Sequence, residues 1–124
     1  MTNSLTSKNS VTELLRRVPD FEKARSNDPS CMSHEDDSPY LVFGDFGLFL
    51  LKRLKDGSHN SKDQPLLREA FGFLDEMLTS TEPELINLAQ VGVIEVLADS
   101  IDAFHIATSY LSPHGKAEAE RFMR

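Results

Sequence analysis

The stretch that most limits what this chain can become is 39–54, PYLVFGDFGLFLLKRL. Leu41, Val42, Phe43, Phe46, Leu48, Phe49, Leu50, Leu51 and Leu54 make it apolar almost all round. A helix of that kind is stable only with neighbours on several sides, so it predicts a central position in a bundle. Ser38-Pro39 supplies a start, a hydroxyl to cap free N–H groups followed by Pro at the first position. Lys52, Arg53 and Lys55 stand where the helix dipole favours cations, and Gly57 follows as a stop. A strand over Tyr40–Phe43 is the alternative, and the length of the run favours a helix. Gly44 and Gly47 lower helix propensity, which predicts close approach of another backbone.

Further helices are expected on both sides of this run. Val11, Leu14, Leu15 and Val18 share one face of a helix starting near Ser10 or Thr12, and Pro19 ends it or opens a short turn through Phe21 and Ala24. Residues 26–38 have no periodicity and many breakers, which reads as a loop. Leu67, Ala70, Phe71, Leu74, Met77 and Leu78 fall at three- and four-residue spacing after Pro65. Thr81-Glu82-Pro83-Glu84 has the form of a capping box, launching a helix with Leu85, Leu88, Ala89, Val93, Ile94, Val96 and Leu97. Another helix runs from about Ser100 to Leu111, and Ser112-Pro113 starts a polar last one. With 124 residues the chain has the size of one domain able to bury a core unaided. The expectation is therefore all-α: a compact bundle of five or six mostly antiparallel helices over 11–124, preceded by a disordered tail at 1–10.

Charge is distributed unevenly. The net charge is −7, yet residues 1–30 carry five bases against four acids. Between Arg68 and Lys116 there is no Lys or Arg. A surface of one sign repels nucleic acid and anionic membrane and steers basic partners inward. Glu84, Asn87, Val91, Glu95 and Asp99 follow three- and four-residue steps and so share a helix face, which Asp102 extends. Such a face is the wet side of an amphipathic helix, or a strip that receives Arg or Lys from a partner. No apolar run reaches the length of a membrane span, the start MTNSLTSKNS lacks the apolar core of a secretory signal, and Cys31 has no second cysteine. The cytoplasm is the expected location.

Motifs for chemistry are sparse. His34-Glu35-Asp36-Asp37 is the densest group of potential ligands, but consecutive loop residues point apart and position 38 is Ser where a zinc-protease pattern needs His. Asp45-Phe46-Gly47 matches a kinase metal-binding triplet without the glycine-rich or catalytic loop that must accompany it. His105 sits between Phe104 and Ile106 and reads as a hydrogen-bonded, partly buried side chain. No nucleophile stands in a catalytic setting. Neither an enzyme nor a cofactor or metal is therefore expected, and a small metal-dependent hydrolase built on the His34–Asp37 loop is the outlying alternative. The partner-contact candidates are Glu35, Asp36, Asp37, Asp45, Glu84, Glu95, Asp99 and Asp102, with Tyr40 and Tyr110 as aromatic anchors.

The segments 39–54, LLREAFGFLDEML (66–78), NLAQVGVIEVL (87–97) and YLSPHGK (110–116), with the Val18–Phe21 corner, resemble small all-helical immunity proteins of bacterial polymorphic toxin systems. That resemblance implies a helical bundle without a cofactor that blocks a cognate toxin by direct binding; it transfers no residue role. An acidic binder suits a basic toxin domain. A helical adaptor or regulatory subunit of a non-toxin complex is the second expectation.

Overall fold

The computed structural model describes residues 5–27, 38–55 and 64–122. All regular structure among them is helical, in a compact bundle. The helices are α1 (Ser10–Arg17), α2 (Pro19–Asn27), α3 (Pro39–Lys55) and α4 (Gln64–Leu78). Next, Pro83–Asn87 runs without a break into a π-helical segment, Leu88–Ile94, and a last α-turn, Glu95–Leu97; we number this whole element α5. Then come α6 (Ile101–Thr108) and α7 (Pro113–Phe122). Pro19 both ends α1 and opens α2, because the residue before a proline is pushed out of the helical region and Val18 sits at φ −126°, ψ 70°.

The apolar run becomes the centre of the bundle. Helix α3 packs against α1, α2, α5 and α6, and Val42, Phe43, Phe46 and Leu50 are fully buried. Phe21 of α2 lies 5.1 Å from Phe46 and 5.4 Å from Phe49, and the Phe43 and Phe73 rings stack at 6.3 Å, tying α3 to α4.

The closest approach in the fold is between α3 and α5. A Cβ placed on Gly92 would lie 2.7 Å from Phe43 Cβ; one on Gly47 would lie 2.9 Å from the Gly92 carbonyl oxygen and 3.1 Å from Val96 Cβ. Both positions need glycine because the helices touch backbone to side-chain base. Tyr40 meets Glu84 and Asn87 near the start of both helices, and Gly47 meets Val93 and Val96 further along both. The two therefore run parallel, with α4 between them in sequence. The two glycines of α3 differ: an added Cβ at Gly47 strikes α5, whereas one at Gly44 meets nothing within 4 Å, although the Gly44 amide nitrogen itself lies 3.6 Å from a Cβ placed on Gly92.

Polar latches join α4 to its neighbours. Asp75 of α4 accepts from the Ser112 amide (3.1 Å) and hydroxyl (2.9 Å), and Gly115 N donates to Ser112 Oγ at 3.2 Å. A carboxylate beside a helix N-terminus is favourable, and a Cβ on Gly115 would fall 1.8 Å from Asp75 Oδ1. The Leu-Ser-Pro-His-Gly turn is thereby a packing device. On another side of α4, Arg17 lies 5.0 Å over the Phe73 ring, pairs with Glu69 at 3.2 Å and bonds Glu76.

Two expectations need correction. Within the tail expected at 1–10, the described residues 5–10 are packed on the bundle: Thr6 and Asn9 exchange side chain-to-backbone bonds (2.8 and 3.2 Å), and Ser7 bonds the Glu82 carboxylate through both its amide (3.1 Å) and its hydroxyl. The capping box expected of Thr81 and Glu84 does not form: the N-cap position falls on Glu82 rather than Thr81, and the Glu84 carboxylate accepts from Tyr40 instead of reaching back. The Glu82 amide donates to Ser80 Oγ at 3.0 Å, no side chain caps α5, and Pro83 alone marks the start.

Gly92→Ala should destabilise the chain by about 1–3 kcal/mol, the usual cost of overpacking. Gly72→Ala, where an added Cβ meets nothing within 4 Å, should instead be neutral or stabilising by up to about 1 kcal/mol. Denaturant melts of the two variants check this pair, and equal effects would contradict the crossing.

Candidate functional site

On α5, Pro83, Glu84, Asn87, Val91 and Glu95 are the exposed positions, with Asp99 exposed in the turn that follows, while Leu85, Leu88, Ala89, Gly92, Val93 and Leu97 are buried. The strip expected at three- and four-residue steps is thus the exposed side of the helix. Its straightness depends on the π segment. In an α-helix each four-residue step advances by about 40°, and the wider π turn sets the row back. Three steps of four, from Asn87 to Asp99, therefore remain on one side.

Tyr40 fastens this row to α3. Its hydroxyl donates to Glu84 Oε2 at 2.9 Å and accepts from Asn87 Nδ2 at 2.6 Å. Because Tyr40 joins the two helices on this flank, the α3 positions one and two turns further on, Gly44 and Leu48, run alongside Val91 and Glu95. The Tyr40 hydroxyl ionises above the ordinary tyrosine range. Burial is the largest cause, and the Glu84 carboxylate adds to it against the opposing Asn87 amide.

The other flank of α5 opens into a cleft of about 410 Å³ lined by Pro83, Ile86, Asn87, Gln90, Glu118 and Arg121. Its charged groups are paired, Arg121 to Glu118 at 3.2 Å, and Gln90 Nε2 donates to the Glu118 carbonyl at 3.4 Å. The exposed ridge of α5 accordingly stands between α3 and α7.

The candidates from sequence divide clearly. Tyr40, Glu84, Glu95 and Asp99 fall along the α3–α5 flank, and Asp102 is exposed one helix on. Asp45 is half-buried on α3. Tyr110, expected as an aromatic anchor, is half-buried and stacks on the buried Phe71 at 5.3 Å. Glu35, Asp36 and Asp37 lie outside the described residues, as do His34 and Cys31. Among the described residues no three His, Cys, Asp or Glu side chains converge as metal ligands, and no helix is long and apolar enough to cross a membrane. Sequence reasoning missed Asn87 as the second partner of Tyr40 and the exposure of Leu41 and Leu48. A helix apolar all round hides which of its apolar positions is left uncovered. Position 87 carried a signal, since it lies in the same row as Glu84.

Residues 11–124 match the family described as domain of unknown function DUF7674, and the chain belongs to it. No curated protein and no solved structure matches the chain.

A hydroxyl kept neutral by the fold adds stability below the unfolded tyrosine pKa, about 10, and that contribution is lost as pH rises through the folded value. The wild type should therefore lose stability more steeply than Tyr40→Phe between about pH 9 and about pH 11. Denaturant melts at both ends of that window test it; parallel profiles would show that Tyr40 is not held in this way.

Proposed function

We propose that this DUF7674 member is an immunity protein, a cytoplasmic inhibitor that neutralises a cognate bacterial toxin by binding it directly and covering its active site or substrate surface. The observation that carries the reading is the exposed α5 row, in which Glu84, Glu95 and Asp99 face outward from a stretch without Lys or Arg between Arg68 and Lys116. A row of carboxylates on a well-packed helix suits a basic protein surface, such as that of an enzyme whose own ligand is a phosphate-bearing molecule. The carboxylates take the place of the phosphates, and the bulk of the bundle excludes the substrate. The likeness of segments 39–54, 66–78, 87–97 and 110–116 to immunity proteins supports the toxin as the class of partner.

Because the α5 carboxylates are exposed, reversing them leaves the core intact. The C-terminal domain encoded by the upstream neighbouring gene, expressed alone, should stop growth, and co-expression of this chain should restore it. Glu95→Lys combined with Asp99→Lys should weaken the complex by about tenfold or more at low salt, with the difference shrinking as salt rises. Absence of rescue contradicts the toxin reading, and binding without rescue turns it toward an adaptor. Unchanged affinity in the double variant would remove these two carboxylates from the interface.

A further inference from the structure

The glycines of α3 differ in what they explain. Gly47 is required by the fold, because a Cβ there would strike the Gly92 carbonyl and Val96. Gly44, one turn earlier, is not: an added Cβ would meet nothing within 4 Å. A glycine in the middle of a helix weakens it relative to alanine, so nothing inside the bundle accounts for its presence. Gly72 on α4 has equally open space, but it stands among Arg68, Glu69 and Glu76, all exposed and charged.

The surroundings of Gly44 are of another kind. Leu41 and Leu48, one turn to either side on the same face of α3, are 58% and 57% exposed. Across the α3–α5 seam lies Val91, 38% exposed, beside the Gly92 that touches Phe43. The three form an apolar rim around a place without a side chain. Glu84 borders it at the N-terminal end and Glu95 along the α5 side, while Lys52 and Lys55 are exposed at the C-terminal end of α3. Among the described residues the notch is therefore apolar in the middle and anionic along α5, with the half-buried Asp45 next to Gly44 and the lysines at the far end.

We propose that Gly44 is the crossing point for an amphipathic, basic helix of the protein partner, which lays an apolar side chain between Leu41, Leu48 and Val91 and its Lys or Arg residues against Glu84 and Glu95. This deepens the reading above and rests on it in one respect, that the partner is a basic protein. Charge complementarity selects this occupant. An acidic helix would meet Glu84 and Glu95 unpaired, and an uncharged one would leave both carboxylates partly desolvated without a counter-charge. The absent side chain at position 44 allows the partner's helix to approach the α3 backbone, as Gly47 allows α5 to do inside the fold. The lysines at the far end fix the direction in which the partner lies, its most basic turn over the start of α5.

The test uses Gly44→Gln, which fills the notch at a position where the fold has room, and Gly72→Gln as its counterpart on α4. Both should melt at or above the wild-type temperature. Against the toxin domain of the upstream gene, Gly44→Gln should raise Kd by about tenfold or more, and Gly72→Gln should change it by less than about threefold. Affinity of Gly44→Gln equal to wild type overturns the proposal. A second arm is independent of that gene: the ¹⁵N-labelled chain is titrated with a helical peptide of leucine and lysine that has one apolar face. Amide shifts should concentrate in 41–48 and 84–95 and weaken in Gly44→Gln. Shifts elsewhere, or none, overturn the docking site. If the neighbouring domain does not bind the wild type but the peptide binds at the notch, the toxin reading fails and the docking site stands.

Discussion

Everything in this bundle is arranged around the contact of Gly47 with Gly92. Two helices parallel in direction and separated in sequence by α4 come close enough that a single methyl on either would force them apart. Dispersion energy falls off steeply with a gap of even half an ångström or so, and at this close crossing Phe43, Phe46, Val93 and Leu97 are fully buried. The crossing also coincides with a change in how α5 is wound. Leu88–Ile94 is π-helical, and Gly92 lies within that segment against Phe43. A wide turn of this kind is uncommon and often accompanies a functional surface. In this chain it keeps Asn87, Val91, Glu95 and Asp99 on one exposed row.

The polar contacts have a different role, holding the ends of helices that the core already places. Asp75 receives the start of α7, Glu82 receives Ser7, and Arg17 bridges to Glu69 and Glu76 over Phe73. Tyr40 stands apart from these because its bonds run between the two helices of the candidate face. By fixing Glu84 and Asn87 to α3, it lowers the conformational freedom that a partner would otherwise have to remove on binding. A row of carboxylates presented on rigid helices can discriminate among partners through both charge and shape.

Much of this was legible in the sequence. The apolar run at 39–54 announced a central helix, and the three- and four-residue steps from Glu84 to Asp99 picked out the exposed side of α5. Helix starts at Pro39, Pro83 and Pro113 were equally readable, because proline at a first turn is a local signal. What stayed hidden depends on tertiary partners. Nothing local reveals that Glu82 is taken by Ser7, 75 residues away in the chain, or that Tyr110 is held against Phe71. The π segment has no sequence pattern of its own; it spans the Gly92 that packs against Phe43 of α3. Nor could the two glycines of α3 be told apart by spacing, because one meets a backbone and the other open space.

Hydrogen–deuterium exchange of the full chain, alone and with the domain encoded by the upstream gene that is proposed as its partner, addresses the central claim that the α3–α5 pair is one rigid unit presenting one face. Alone, amides of 42–54 and 88–97 should be the slowest in the molecule. With the partner, added protection should fall on 40–48 and 84–99. Fast exchange across α5 in the free chain, or protection gathered on α1 and α2 in the complex, would contradict the account.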